Sequence, residues 1–278
     1  MDVGIAWDMA LPRSSAGSTC VVTGASSGIG ADIARELASR GYGLTVVARR
    51  EDRLRTLADN LQSAHGVAVE IMPGDLADSE ARAELWQAIE ERGLAVDVLV
   101  NNAGFSTIGK VVHGERAREV GMIRTNIEAV VDLCTLAVPG MVQRGRGAVL
   151  NVASTAAFQP IPGQAGYSAS KSFVLSYSWA LGAELTGTGV SVTALCPGFT
   201  DTEFVAATGA DPAVAGKVPK RLTASSASVA RAAVNGIQAD RPIVVPGLVN
   251  RLGALGGHLT PRRVLMPIMS RVYPAAKA

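Results

Sequence analysis

The sequence predicts a doubly wound α/β fold: one parallel sheet of about seven strands with helices on both faces. Three observations carry this. Short β-branched runs alternate with longer helical stretches over most of the chain, the runs are almost continuously apolar, and a glycine-rich turn joins the first run to the first helix. Continuously apolar strands suit a parallel sheet buried on both faces. Strand–helix alternation calls for right-handed crossovers in a layered α/β fold. With 278 residues, 48% of them hydrophobic and 18% charged, the chain can bury one large core.

The elements follow in order. Residues 1–17 read as a loose leader. Thr19 to Thr23 is the first strand and Ile29 to Arg40 the first helix. Leu44 to Ala48 and Glu51 to Ala64 form the next strand and helix. Val67 to Met72, Val96 to Val100, Ala148 to Val152, Val190 to Leu195 and Ile243 to Val245 are further strands. Helical patterns fill 78–92, 115–143, 164–186 and 225–239. Residues 199–224 have weak periodicity, and a loop that long in a compact domain reads as a lid. The catalytic domain is expected over 18–246, followed by an extension over 247–278.

Bulk properties exclude several classes. The net charge of +2 gives no general basis for nucleic-acid binding. Cys20, Cys134 and Cys196 are odd in number and lie in apolar runs, which suggests reduced core thiols in a cytoplasmic protein. His65, His113 and His258 are scattered without metal-ligand spacing, so no metal site is expected. The N-terminus lacks a basic region followed by an apolar one, as a secretory signal requires. No window holds the roughly 18 uninterrupted apolar residues of a span.

The first strand enters Thr23-Gly24-Ala25-Ser26-Ser27-Gly28-Ile29-Gly30, and a helix follows at once. Glycines allow the tight turn and the close approach of backbone to a pyrophosphate. The helix N-terminus favours the negative charge. The spacing G-x3-G-x-G is weak evidence alone. The second strand ends in Arg49-Arg50 with no acid at its tip, and guanidinium groups match a 2′-phosphate in charge and geometry. This favours NADP(H), with NAD(H) as the alternative, because Glu51 and Asp52 follow directly and would serve an NAD ribose.

Tyr167 and Lys171 stand four residues apart in a helical stretch, on one face. A phenol titrates near pH 10, and a neighbouring ammonium is expected to lower that value and make a general acid/base pair. Ser154 lies just past the strand ending at Val152, where open α/β sheets bind ligands.

These motifs, with Asp75-Leu76, Asn101-Asn102-Ala103-Gly104, Asn126, Tyr167-Ser168-Ala169-Ser170-Lys171 and Pro197-Gly198, resemble the classical short-chain dehydrogenase/reductase family over about residues 19–245. The resemblance implies a single Rossmann-type domain that interconverts a ketone or aldehyde and an alcohol by hydride transfer. It implies that Tyr167 transfers the proton, Ser154 orients the carbonyl oxygen, Lys171 holds the nicotinamide ribose, and Asn126 holds a water for proton resupply. Around the cofactor it places Gly24, Ser26, Ser27, Gly28, Ile29, Gly30, Arg49 and Arg50. It also places Asp75 and Leu76 at the adenine, Asn102, Ala103 and Gly104 along the adenosine and ribose, and Pro197, Gly198, Thr200 and Thr202 over the nicotinamide. The long helices at 115–143 and 164–186 would pair in a homodimer or homotetramer.

Phe105, Phe158, Ile161 and Phe204 flank these motifs, which suggests a small apolar carbonyl or alcohol substrate. Two alternatives stand beside it: reduction of a 3-oxoacyl thioester in lipid or polyketide assembly, and a non-catalytic NADP-binding sensor. The intact Asn126, Ser154, Tyr167 and Lys171 set speaks against the sensor. The extension is apolar and carries +5 with no acid, against −3 for the remainder. Pro261, Pro267 and Pro274 break any long helix in it. Packing over the substrate cleft or at a subunit interface is the favoured reading, and peripheral contact with an anionic membrane the other.

Overall fold

The computed structural model describes residues 11–12, 14–15, 17–204 and 223–273. Its strands follow the apolar runs: β1 (Ser18–Thr23), β2 (Leu44–Ala48), β3 (Val69–Pro73), β4 (Ala95–Asn101), β5 (Gly147–Val152) and β6 (Val190–Leu195). After a short pair, β7 (Thr200–Asp201) and β8 (Ala224–Ser225), comes β9 (Ile243–Val244). Seven strands form one sheet in the order β3-β2-β1-β4-β5-β6-β9, every pair parallel. The order reverses between β1 and β4, and the crevice beyond their carboxyl ends is where such sheets take ligands.

The helices are α1 (Gly28–Ser39), α2 (Glu51–His65), α3 (Ser79–Glu91), α4 (Arg116–Ile123), α5 (Ala129–Arg144), α6 (Ala165–Glu184), α7 (Ser226–Gln238), α8 (Leu248–Leu259) and α9 (Arg262–Val272). Successive strand residues point to opposite faces, so each strand feeds two cores. Val22 packs with Ile33 of α1, Leu54 of α2 and Ile237 of α7. Val21 packs with Ile89 of α3, Leu133 of α5 and Val174 of α6.

Helices α4 and α5 are joined through a π-turn at Arg124–Glu128 into one rod, Arg116–Arg144. By length and composition the rod passes for a membrane span. Its Leu133, Cys134, Ala137 and Met141, however, are buried in the second core.

At the start of the chain, Leu11 is buried in the first core, and the Gly17 carbonyl accepts from Ala95 N at 2.8 Å. Most of the expected lid, residues 205–222, lies outside the described residues, as does Pro274. The tail forms two helices. Pro261 stands at the N-terminal boundary of α9, but Pro267 lies inside that helix rather than ending it. Its missing N–H leaves one main-chain bond unmade in a helix held by its buried face.

Candidate active site

The turn between β1 and α1 is pinned to the end of β4. The Thr23 hydroxyl donates to the Val100 carbonyl at 3.0 Å and accepts from the amides of Asn102 (2.9 Å) and Ala103 (3.0 Å). The Asn102 side chain donates back to the Thr23 carbonyl at 2.9 Å. Gly28 has φ +57°, open to glycine but strained for other residues. A Cβ on Gly30 would fall 2.3 Å from Asn102 Nδ2 and 2.5 Å from the Gly24 carbonyl oxygen, so the helix meets the strand ends too closely for a side chain. Ser27 precedes α1 without capping it, and the first turn holds no acid. The helix N-terminus is therefore left to an external anion.

The two arginines after β2 diverge. Arg49 is exposed and stands 3.9 Å from Asp75 Oδ2. Arg50 turns over the glycine-rich turn and donates to Ser26 Oγ (3.0 Å) and Ser27 Oγ (2.8 Å). It also meets Glu203 at 2.8 Å, and Arg53 reaches the same carboxylate at 2.7 Å. The two guanidinium groups hold the Glu203 carboxyl down to a pKa of about 2. The sequence motifs point to neither Arg53 nor Glu203. Arg53 lies one helical turn past Arg50, a spacing that could have found it. Nothing in the sequence marks Glu203. Asp75 accepts from Ala77 N at 3.1 Å, a local turn, and Leu76 is buried.

Tyr167, Lys171 and Ser154 converge at the carboxyl end of β5. Ser154 follows the strand and begins the short turn Thr155–Phe158. Its hydroxyl accepts from Ala156 N at 3.1 Å, donates to the Pro197 carbonyl at 3.4 Å and is near enough to Tyr167 to favour its ionised form. Lys171 Nζ donates to the Val152 carbonyl at 2.8 Å and lies 5.8 Å from the centre of the Tyr167 ring. Asn126 sits in the π-turn, fully buried. Its amide clamps the Phe105 backbone, accepting from N at 3.1 Å and donating to O at 3.0 Å, and donates to Ser170 Oγ at 3.1 Å. A Cβ on Gly104 would come within 2.8 Å of Asn126 Oδ1 and 3.5 Å of Lys171 Nζ, which puts the β4 loop against both.

The expected lowering of the Tyr167 pKa is not what this environment gives. Burial pushes the phenol up to about 12, opposed by the Ser154 hydrogen bond and reinforced by Cys196. Burial pushes Lys171 down to about 8. Desolvation dominates for each group because both are closed off from water. Near neutrality the site therefore holds a phenol and an ammonium.

Around Tyr167 the walls are apolar. Met122, Ala156, Ile161, Leu265 and Met269 form one buried cluster with it, and Phe105, Phe204 and Tyr273 pack against the cluster. The Phe204 ring centre is 5.7 Å from that of Tyr167. Two of these residues, Leu265 and Met269, come from α9, so the tail covers this side of the site. Phe158 is buried in the second core instead. Thr200 begins β7, and Thr202 faces Gly28, 3.0 Å from where its Cβ would be.

A family model described as short chain dehydrogenase matches residues 18–213. The chain belongs to the short-chain dehydrogenase family. It is 37% identical over 212 residues to a sulfoacetaldehyde reductase of Chromohalobacter salexigens, covering 75% of this chain and 83% of the relative. It is 33% identical over 223 residues to the ketoacyl reductase HetN of a Nostoc species, covering 80% and 76%. Among solved structures, a short-chain dehydrogenase from Sphingobium yanoikuyae in complex with NADPH superposes with a TM-score of 0.77 at 34% identity, over 90% of this chain and 95% of the other. This short-chain dehydrogenase is thus an oxidoreductase with the fold that its sequence predicted.

Proposed function

We propose that this short-chain dehydrogenase is an NADP(H)-dependent carbonyl reductase that uses Tyr167 as its general acid. The observation that carries the reading is the convergence of Tyr167, Ser154 and Lys171 at the carboxyl end of β5, beside the crevice whose far side is the glycine-rich turn. The residues present fit the cofactor. The uncapped N-terminus of α1 suits a pyrophosphate, and Arg50 with Arg53 suits a 2′-phosphate, since the pair already holds a carboxylate. Gly24, Ser26, Ser27, Gly28, Ile29 and Gly30 would line the pyrophosphate. Asp75, Leu76, Asn102, Ala103 and Gly104 would line the adenosine and ribose, and Pro197, Gly198, Thr200 and Thr202 the nicotinamide. The NADPH in the Sphingobium structure supports the same preference.

Bound NADPH would supply hydride to the carbonyl carbon. The remaining chemistry belongs to this chain. The Ser154 hydroxyl, held beside Tyr167 by the Pro197 carbonyl, would bond and orient the carbonyl oxygen. The Tyr167 hydroxyl would give that oxygen its proton. The Lys171 ammonium, tied to Val152, would stabilise the phenolate left behind and hold the ribose hydroxyls. Asn126 would fix the loop from Gly104 to Phe105 against Lys171. Met122, Ile161, Leu265 and Met269 would exclude water and select an apolar carbonyl compound.

A second reading, reduction of a 3-oxoacyl thioester, draws on the ketoacyl reductase relative. A panel of free ketones, aldehydes and 3-oxoacyl thioesters, assayed with NADPH and NADH, separates the two.

The exposed Phe173 and Trp179 of α6 and Ile123 of α4 support a homodimer or homotetramer formed through these helices. The three cysteines are buried and unpaired, in keeping with a reducing, cytoplasmic compartment.

A further inference from the structure

Helices α8 and α9 turn apolar stripes to solvent that the catalytic reading does not use. On α8, Leu248, Leu252, Leu255 and Leu259 recur at the spacing of a single helix face, and all four are more than half exposed (72%, 61%, 55% and 68%). The buried residues of that helix, Ala254 and Gly257, lie on its other side. On α9, Val264, Ile268 and Val272 form a second exposed stripe, while Leu265 and Met269 face inward. The helices are consecutive, joined through Thr260 and Pro261, with Arg262 donating to the Gly257 carbonyl at 3.0 Å. An exposed apolar face of this kind on a helix marks an interaction site.

The charge around the stripes indicates the partner. Arg251, Arg262, Arg263 and Arg271 are exposed, and residues 247–278 contain no Asp or Glu. None of the four arginines joins an ion pair among the described residues. A second copy meeting this patch across a two-fold axis would bring arginines against arginines, since such an interface pairs a patch with itself. Helices of 12 and 11 residues are too short to span a bilayer, which needs about 20. Apolar stripes with flanking arginines have the chemistry of helices lying in a lipid headgroup boundary.

We propose that α8 and α9 adsorb this enzyme to an anionic lipid surface, with the leucine and valine stripes in the headgroup–acyl boundary and the arginines on the phosphates. The inward face of α9, Leu265 and Met269, walls the pocket at Tyr167. An adsorbed enzyme would then meet its substrate as a membrane-dissolved lipophilic carbonyl compound. That last step rests on the carbonyl-reductase reading, whereas adsorption does not.

The test is co-sedimentation of the full-length protein with vesicles of phosphatidylcholine alone and with added phosphatidylglycerol, over a range of salt. The expected result is binding to the anionic vesicles only, weakening as salt rises. Arg263→Gln with Arg271→Gln should lower partitioning more than tenfold, at about fivefold per cation near such a surface. Leu252→Gln with Leu255→Gln should abolish it, while both variants keep the melting temperature and NADPH affinity of the parent. Absence of binding to anionic vesicles overturns the proposal, as does equal, salt-independent binding to both vesicle types. A change in solution mass in the leucine variant, without vesicle binding by the parent, overturns it in favour of a second copy. Vesicle binding is read without turnover, so its failure is distinct from failure of the catalytic reading.

Discussion

Lys171 Nζ donates a 2.8 Å hydrogen bond to the Val152 carbonyl and stands 5.8 Å from the centre of the Tyr167 ring. The ammonium is thereby anchored at the end of β5, one helical turn from the phenol. Burial moves the two groups in opposite directions, the phenol up to about 12 and the ammonium down to about 8. Both protons are in place near neutrality, as the proposed protonation of a carbonyl oxygen requires.

The depressed lysine gives a pH prediction. The kcat/KM for reduction should be level near neutrality and fall as pH rises through about 8, where Lys171 loses its charge. Lys171→Arg, whose guanidinium stays charged, should remove that limb even if the plateau drops. A wild-type profile level to pH 10 would mean that Lys171 titrates as an ordinary lysine.

Glu203 occupies the guanidinium pair proposed for the 2′-phosphate. Glu203→Gln should tighten NADPH binding several-fold and leave NADH unchanged, because only the phosphate competes with the carboxylate. Arg50→Ala should weaken NADPH more than tenfold, the order of a charge-assisted bond worth about 1.5–3 kcal/mol. Fluorescence titration with each cofactor reads both effects. Equal changes for NADPH and NADH would place the phosphate elsewhere.

Asn126 makes three hydrogen bonds from a fully buried amide. Asn126→Ala should cost about 2–3 kcal/mol in denaturant unfolding, because the Phe105 amide and carbonyl lose buried partners. Turnover should fall with it, as the loop holding Gly104 beside Lys171 loosens. A variant with unchanged stability would remove Asn126 as the anchor of that loop.

Leu265 and Met269 bring the tail to the apolar cluster around Tyr167. Leu265→Ala should shift the preference toward bulkier ketones, raising their kcat/KM relative to small ones, with a stability loss of about 2 kcal/mol. Competition between a small and a bulky ketone measures it. An unchanged ratio would mean that α9 packs nearby without shaping the pocket.

Much of this was legible in the chain. The strands are visible as apolar runs because a parallel sheet covered on both faces buries nearly every residue of its central strands, β2, β1, β4, β5 and β6. Tyr167, Lys171 and Ser154 could be paired because a helix and a strand end fix their spacing. Besides Glu203, three features were not legible. The π-turn at Asn126 leaves no periodic signature within an apolar rod. Arg49 and Arg50 are adjacent in sequence, and only the helix entry decides that the second one faces the glycine-rich turn. Sequence proximity points to Lys171 as what sets the pKa of Tyr167, whereas the closed apolar wall that opposes ionisation comes partly from α9, about 100 residues away.

The most direct test of the central claim is NADPH oxidation by the purified enzyme over a carbonyl panel, beside Tyr167→Phe. Turnover with NADPH on at least one apolar carbonyl compound, reduced by a factor of about 10²–10⁴ in the variant while its NADPH affinity stays within a few-fold, is the predicted result. Near wild-type turnover in the variant would contradict Tyr167 as the proton donor. Tight NADPH binding with no turnover on any compound would contradict the carbonyl-reductase reading for these substrates and favour a cofactor-binding sensor.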